Sequence, residues 1–341
     1  MSSSAGRQPR RILVIGGSAE AGFASRLQNG LAAYGVDVDS SIGVGASFQD
    51  LGAFAKSYDL IFFRIYFRPP SHPTKSQIED FFQRSEWMNL ALGLTAVVEP
   101  GRFFNHPIAG LIAESKPLQL ETARSVGMAV PETLFSNELS MIREFAASRR
   151  VIVKPVDTSL LAHPDRPDDT LLMFTRELTV DDTAADDLVA TSDSPMIVQT
   201  LIEKKHELRV IVFGTDVQTI HIDSQAHPHS RIDFRRRLMD LKMYSVGVSD
   251  PILDEQCVAY CRKLGLDSGV FDFAVGTDGV TYFLECNPNG QWESMNAAAG
   301  AGVDAAAFAY FRERLGVSDP SSSAAASASD QERAPLQTGG C

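Results

Sequence analysis

Gly-Val-Phe-Asp-Phe-Ala-Val-Gly-Thr-Asp-Gly-Val-Thr-Tyr-Phe-Leu-Glu-Cys-Asn-Pro-Asn-Gly-Gln-Trp, residues Gly269 to Trp292, reads as a β-hairpin with one polar face. Two β-prone runs, Val270 to Val275 and Val280 to Cys286, flank the turn signal Gly276-Thr277-Asp278-Gly279. If Val275 lies opposite Val280, Asp272 lies opposite Phe283, and the period of two places Phe283, Glu285 and Asn287 on one face. Phe271, Phe273, Val275, Tyr282, Leu284 and Cys286 then form the core side. Asp272 and Glu285 become diagonal neighbours, with Cβ atoms roughly 7–8 Å apart or less. Both carboxylates can lean onto one hard cation, and the Asn287 amide oxygen offers a third ligand.

Three oxygen donors without a Cys or His pair suit Mg²⁺, which keeps several waters and shares substrate phosphates. The alternative is an amphipathic hairpin whose polar face is merely wet. A wet edge, however, does not require the continuation Asn-Pro-Asn-Gly-Gln-Trp. Phe-Asp-Phe followed by Phe-Leu-Glu-Cys-Asn-Pro-Asn-Gly-Gln-Trp resembles the closing motif of ATP-grasp ligases. Within them it is most similar to the peptide ligases that make ester- and amide-crosslinked peptides of the microviridin (graspetide) type. The resemblance covers roughly residues 100 to 295 and is strongest at the hairpin. It implies an α/β (α+β) chain with the ATP-grasp fold behind an N-terminal parallel α/β domain, using ATP and Mg²⁺. The expected division is residues 1–100 for that domain, 101–197 and 198–317 for the two ATP-grasp subdomains, and 318–341 for a tail too poor in apolar residues to pack.

The composition is compatible with such an enzyme. The chain has 341 residues, 44% of them apolar and 22% charged, enough for two or three packed units. A net charge of −12 argues against nucleic acid or an anionic membrane as the main partner, so any phosphate it binds must meet a local basic cluster. Four cysteines, with Cys257 and Cys261 on one helix face, do not make a disulfide framework, and the first residues are neither a signal peptide nor a span. A reduced, cytoplasmic setting is expected, with the oligomeric state open and a homodimer among the possibilities.

From the N-terminus, Ile12 to Ile15 is a strand, Gly16-Gly17 a turn better suited to tight strand–helix packing than to a phosphate, and Ala19 to Tyr34 a helix closing at Gly35. A second repeat runs from Leu60 to Phe67, interrupted by Arg64, to a helix over Ser76 to Leu92. Asn105-His106-Pro107 opens a helix at Ile108 that Pro117 interrupts and restarts. Lys116 at that junction is either a surface lysine or, by similarity to the family's entry to its central domain, a lysine that reaches the nucleotide phosphates.

Val151 to Pro155 is a buried strand carrying Lys154 where a core residue belongs, so the lysine should project into a cleft towards an anion. Asp157 to Asp169, polar and without glycine, reads as a mobile loop over that cleft, with Leu171 to Phe174 returning as a strand. Met196 to Leu201 is a further strand, and an adenine fits the end of a strand between two domains. In the family this segment is the adenine hinge, which places Gln199, Leu201 and Ile202 at the base and offers Glu203 either to the ribose or to solvent.

Leu208 to Phe213 and Val217 to Ile222 form a second hairpin. Ser230 to Arg237 is the densest basic cluster, either a solvated turn or a clamp on triphosphate and acyl phosphate, and its Asp-Phe-Arg resembles the family's Asp-Trp-Arg. Arg209 and Arg235 are the favoured pair, since a planar guanidinium suits paired phosphate oxygens.

The reaction that the resemblance implies begins with a substrate carboxylate attacking the γ-phosphate of MgATP. A hydroxyl or amine then displaces phosphate from the acyl phosphate. Asp272, Glu285 and Asn287 would hold Mg²⁺, Lys116 and Lys154 the phosphates, and Arg209 and Arg235 the transferring group. The expected partner is a ribosomal precursor peptide whose leader docks near Leu208 to Ile222. Arg-Ile-Tyr-Phe-Arg at Arg64 to Arg68 departs from the paired arginines expected there, which leaves the exact substrate open. Two alternatives stand beside this one: a ligase that adds free amino acids, of glutamate-ligase type, and a non-catalytic ATP-binding regulator.

Overall fold

A computed structural model of the chain describes residues 9–16, 21–42, 50–64, 86, 89, 92–156, 160–163, 166–172, 174–178, 194–237, 240–290, 292–300 and 302–318. The turn after the first strand, most of the helix expected over Ser76 to Leu92 and the tail beyond residue 318 lie outside the described residues. Among the described residues three sheets carry the architecture, and a two-stranded hairpin accompanies them.

The first sheet is parallel, in the order β2-β1-β3-β4, from β1 (Arg10–Gly16), β2 (Val36–Ile42), β3 (Leu60–Phe63) and β4 (Phe103–Phe104). A parallel sheet is covered on both faces, which is why β1 and β3 read as unbroken apolar runs. Ile12 and Val14 face Phe23 and Leu27 of helix Ala21–Leu31, whereas Leu13 and Ile15 pack with Ile61, Leu94 and Val98. Arg64, just past β3, is buried rather than solvated. Its Nη2 lies 2.6 Å from Glu293 Oε1, and its guanidinium covers the rings of Phe23 at 4.2 Å and Trp292 at 4.9 Å. This cation–π and ion-pair contact ties the N-terminal sheet to the chain that leaves the hairpin.

The second sheet is antiparallel, ordered β5-β10-β6-β9, from β5 (Thr133–Ser136), β6 (Val151–Pro155), β9 (Arg176–Leu178) and β10 (Met196–Thr200). Val151, Val153 and Val198 bury one face against helix Leu139–Ala146, which leaves the alternate residues Ile152, Lys154 and Gln199 for the other face. The segment expected as a loop from Asp157 to Asp169 is instead largely a hairpin, β7 (Leu160–His163) with β8 (Arg166–Leu172). Leu160 and Leu161 pair with Leu172 and Leu171, an apolar match that the polar stretch between them conceals in the sequence.

The third sheet, β13-β12-β11-β14-β15, contains β11 (Lys204–Phe213), β12 (Asp216–Ile222), β13 (Tyr244–Val246), β14 (Ser268–Gly276) and β15 (Thr281–Asn287). One face buries Val210, Val212, Phe271 and Phe273 under helix Pro251–Leu264 and helix Lys116–Ser125. The helix over Pro251–Leu264 starts at an N-cap, with Asp250 Oδ1 accepting from Ile252 N at 3.0 Å. On the opposite face Ile211, Phe213 and Val270 join the core of the first sheet through Trp292 and Phe311. β13 and Gly247 occupy the outer edge of β12 from Thr219 to Ile222, so along that stretch the edge is already paired.

The hairpin forms, but in a different register from the simple alternation. Val275 pairs with Thr281 and Phe273 with Phe283, and a bulge at Leu284 then brings Asp272 directly opposite Glu285. The turn is one residue longer than expected, closed by Gly276 N donating to Val280 O at 2.8 Å, with Gly279 at φ 85°. Phe283 therefore belongs to the core face, against Tyr260 at 5.6 Å and Phe273 at 5.9 Å. Leu284 and Glu285, consecutive residues, both turn to the other side. The run Tyr-Phe-Leu-Glu has one apolar residue too many for strict alternation, and the bulge absorbs it.

Candidate active site

The polar faces of the second and third sheets meet at a cleft of about 700 Å³, counted with the solvent at its mouth. Its apolar walls are Ile152, Leu201, Ile202, Ala274, Leu284 and Phe234. Lys154, Gln199, Lys204, Glu207, Asp272, Glu285 and Arg235 supply its charged and polar groups. Most of the residues singled out in the sequence converge here from strands distant in the chain.

Lys154 reaches the cleft from β6. Burial lowers its pKa to about 8, with Lys116 and Arg235 acting in the same direction and Glu285 against it. Lys116 is the first residue of its helix and does not line the cleft, yet its charge acts on both Lys154 and Glu285. Gln199 is buried, and its Nε2 donates to Thr133 Oγ1 at 2.8 Å while Oε1 has no hydrogen-bond partner among the described residues. Leu201 and Ile202 form the hinge between β10 and β11, where Leu201 N donates to Arg150 O at 2.9 Å.

Glu203 does not reach the cleft. Its exposed carboxylate pairs with Arg150, and an irregularity in the β11 ladder between Lys204 and His206 sends Lys204 inward instead. Lys204 Nζ lies 2.7 Å from Glu207 Oε1 and donates to Ile232 O at 3.0 Å, with both side chains buried. The sequence reading missed this pair. Glu207 was available to it, because it lies two residues before Arg209 and so on the same strand face.

Arg209 is fixed by its cross-strand partner. Its Nη1 donates to Asp272 Oδ1 at 2.8 Å and Oδ2 at 3.0 Å. Arg235 forks onto Asp233 through Nε at 2.8 Å and Nη2 at 2.6 Å, which raises its pKa further above the ordinary arginine value. Burial pushes the Asp233 carboxyl up, but the bonds from Arg235 and from Thr175 N at 3.0 Å outweigh it and hold it low. Asp233 thus aims Arg235 and ties the loop to the residues just before β9, a role hidden in the Asp-Phe-Arg motif.

Asp272 and Glu285 face each other with opposite tendencies. Burial raises Asp272 to about 6, helped by Glu285 and Glu207 and opposed by Arg209. Burial also pushes Glu285 up, but Lys116, Lys154 and Arg235 leave it lowered. Asn287 Nδ2 donates to Glu285 Oε1 at 3.3 Å. Among the described residues no group of three or more His, Cys, Asp or Glu is placed to hold a metal, and Asn287, which does not itself line the cleft, is the amide beside Glu285 that could add a third oxygen. Two carboxylates and an amide beside several cations fit Mg²⁺, which takes few protein ligands and relies on phosphate and water for the rest. They do not fit a closed zinc site.

A cleft between two antiparallel sheets, with a lysine on one and paired carboxylates on the other, defines the ATP-grasp fold. Solved structures bear the fold out. The Chryseobacterium gregarium RiPP-associated ATP-grasp ligase in complex with ADP and a leader and core peptide superposes with TM-score 0.71 at 19% identity, over 84% of this chain and 92% of that one. The ATP-grasp ligase PsnB with minimal precursor, Mg and ADP gives 0.65 at 20% identity, over 89% and 98%. D-cycloserine synthetase DcsG gives 0.61 at 17% identity, over 89% and 99%. Scans against protein-family models and against curated proteins give no match. No helix among the described residues is long and apolar enough to cross a membrane.

Lys154 provides a direct test of whether the cleft binds a nucleotide. A charge-assisted phosphate contact contributes about 1.5–3 kcal/mol, so Lys154→Ala should weaken metal-free ADP by about one to two decades in calorimetry. Phosphate binds the ammonium form, and the free amine has a pKa of about 8. Affinity should therefore be full below that pH and fall by up to about tenfold per pH unit above it, whereas Lys154→Arg should flatten the dependence. Affinity that stays level through pH 8 in the native protein would make Lys154 structural.

Proposed function

We propose that the chain is an ADP-forming ligase that condenses a side-chain carboxylate of a ribosomal precursor peptide with a hydroxyl or amine of the same peptide. The observation that carries this reading is the convergence of Lys154, Arg235, Asp272 and Glu285 on one cleft with an apolar slot at the β10–β11 hinge. Ile152, Leu201, Ile202 and Leu284 give an adenine its apolar walls, and Gln199 Oε1 is a buried acceptor without a donor among the described residues. Lys154 and Lys116 attract the phosphates; Arg235, held by Asp233, and Arg209 stabilise charge that spreads over the transferring group. Mg²⁺ held by Asp272, Glu285 and Asn287 would neutralise phosphate charge and fix its orientation.

In the first step a carboxylate oxygen bonds to the γ-phosphorus and ADP leaves. In the second, a hydroxyl or amine bonds to the carbonyl carbon, loses its proton, and inorganic phosphate departs. No protein nucleophile is needed, so the work of the site is alignment and charge neutralisation. The peptide class rests on neighbours whose solved complexes contain precursor, leader or core peptides. DcsG, of the same fold, is named for the synthesis of D-cycloserine rather than for a peptide, and it keeps open a second reading, a ligase that adds free amino acids to a protein or small molecule.

Purified protein, MgATP and the cognate precursor should yield a product lighter by one water per linkage, with one ADP for each. Mild alkali should reopen esters made with Ser or Thr and leave amides made with Lys, as mass spectrometry before and after base treatment would show. A product heavier by one amino-acid residue would favour the second reading and overturn the first.

A further inference from the structure

Asn105, which follows β4, is the non-glycine residue with positive φ among those described, at 51°, and it is fully buried. Glycine adopts that conformation without a Cβ penalty, so an asparagine there is explained by what its side chain does. Its amide is fully used. Nδ2 donates to Ser268 O at 2.9 Å and to Pro288 O at 2.7 Å, and Oδ1 accepts from Asp267 N at 2.7 Å and Ser268 N at 2.9 Å. The Asn105 backbone N donates to Asp267 Oδ2 at 2.8 Å. Asp267 is held in turn by Tyr310 Oη at 2.7 Å and by Arg314, whose Nη2 also donates to Phe103 O at 3.0 Å.

Ser268 opens β14 and Pro288 follows β15, so this one side chain closes the open end of the metal hairpin. The turn at the far end sets the pairing of Thr281 to Phe283, but the bulge at Leu284 interrupts that register. The pairing of Glu285 to Asn287 therefore needs its own anchor, since a slip of one residue would turn both ligands to the other face. Pro288 restricts Asn287 to extended backbone. Gly290 N donates to Asn287 O at 3.0 Å, and a Cβ on Gly290 would come within 2.4 Å of Val270 Cβ, so the turn is pressed against β14. Asn105 completes this brace from outside the hairpin.

We propose that Asn105 is a positioning residue for the Mg²⁺ site, one that holds Glu285 and Asn287 in register against Asp272. The inference rests on the assignment of those three residues as metal ligands under the proposed function. Asn105→Asp keeps the size of the side chain and the oxygen that accepts from Asp267 N and Ser268 N but sets a second carboxylate oxygen against the Ser268 and Pro288 carbonyls. Mn²⁺ binding to the ADP complex, read by electron paramagnetic resonance at a temperature where circular dichroism shows the variant folded, should weaken about tenfold or more, the range for groups that orient metal ligands. Metal-free ADP affinity should change less than Mn²⁺ affinity, because Ile152, Gln199, Leu201 and Ile202 of the proposed nucleotide slot lie on the second sheet and the hinge, away from the Asn105 contacts.

If Asn105→Asp does not fold, Pro288→Ala takes its place: it frees the Asn287 backbone without removing a hydrogen bond and should weaken Mn²⁺ in the same direction. Asn287→Ala is the control. Weakened Mn²⁺ in Asn287→Ala but unchanged Mn²⁺ in the folded test variant overturns the positioning role alone. Unchanged Mn²⁺ in Asn287→Ala overturns the metal assignment and this inference with it.

Discussion

Glu285→Gln is expected to reduce ATP-dependent ADP formation on the order of 10³-fold, about 4 kcal/mol of transition-state stabilisation, with little change in melting temperature. Glu285 stands in the cleft among the charges of Lys116, Lys154 and Arg235, and among the described residues no salt bridge fixes it as Arg209 fixes Asp272. Its neutral amide would still fill the same space but would no longer bind a hard cation. Asp272→Asn is expected to be equally inactive yet less stable. Both Asp272 oxygens accept from the buried Arg209, and breaking a buried pair leaves an uncompensated charge that costs about 3–5 kcal/mol. The facing position of the two carboxylates alone suggests that they behave alike; the Arg209 contact separates them. A coupled ADP assay and thermal denaturation of both variants check this, and near-native turnover by Glu285→Gln would remove the metal assignment.

Arg235→Ala should lower kcat about 10²–10³-fold with a smaller change in KM for ATP, the effect of removing a donor aimed at developing charge. Arg235→Lys should recover little. The fork onto Asp233, with Nε at 2.8 Å and Nη2 at 2.6 Å, is a two-point contact that an ammonium cannot make. Steady-state kinetics on both variants decide it, and a kcat within about threefold of native in Arg235→Ala would assign the arginine to fold rather than to reaction.

Much of this site is legible in the sequence because its signals are local. Lys154 stands out as a charge inside an apolar strand, and Glu285-Cys286-Asn287 follows a period of two that survives folding. The β15 register is not legible. It depends on a turn one residue longer and a bulge at Leu284, whose net effect becomes visible only when Phe283 meets Tyr260 and Phe273 in the core. Glu203 and Lys204 exchange roles for a similar reason, an irregularity in the β11 ladder that no local pattern announces. Asn105 shows the converse. The sequence marks it as the start of a helix, but its value lies in contacts with Ser268 and Pro288, more than 160 positions further along the chain. Tertiary contacts of that separation have no periodicity to read. The hairpin β7–β8 was hidden by composition, since its polar residues look like a loop while its terminal leucines pair.

The central claim is that the cleft passes the γ-phosphoryl group of ATP to a peptide carboxylate. The most direct measurement uses precursor peptide whose Asp and Glu carboxylates carry ¹⁸O, incubated with the protein and unlabelled MgATP in unlabelled water. If an acyl phosphate forms, its bridging oxygen comes from the carboxylate and leaves with the phosphate, so each linkage should release one inorganic phosphate that carries a single ¹⁸O. Inorganic phosphate free of the label, from a reaction that still consumes ATP and forms the linkage, would contradict the account.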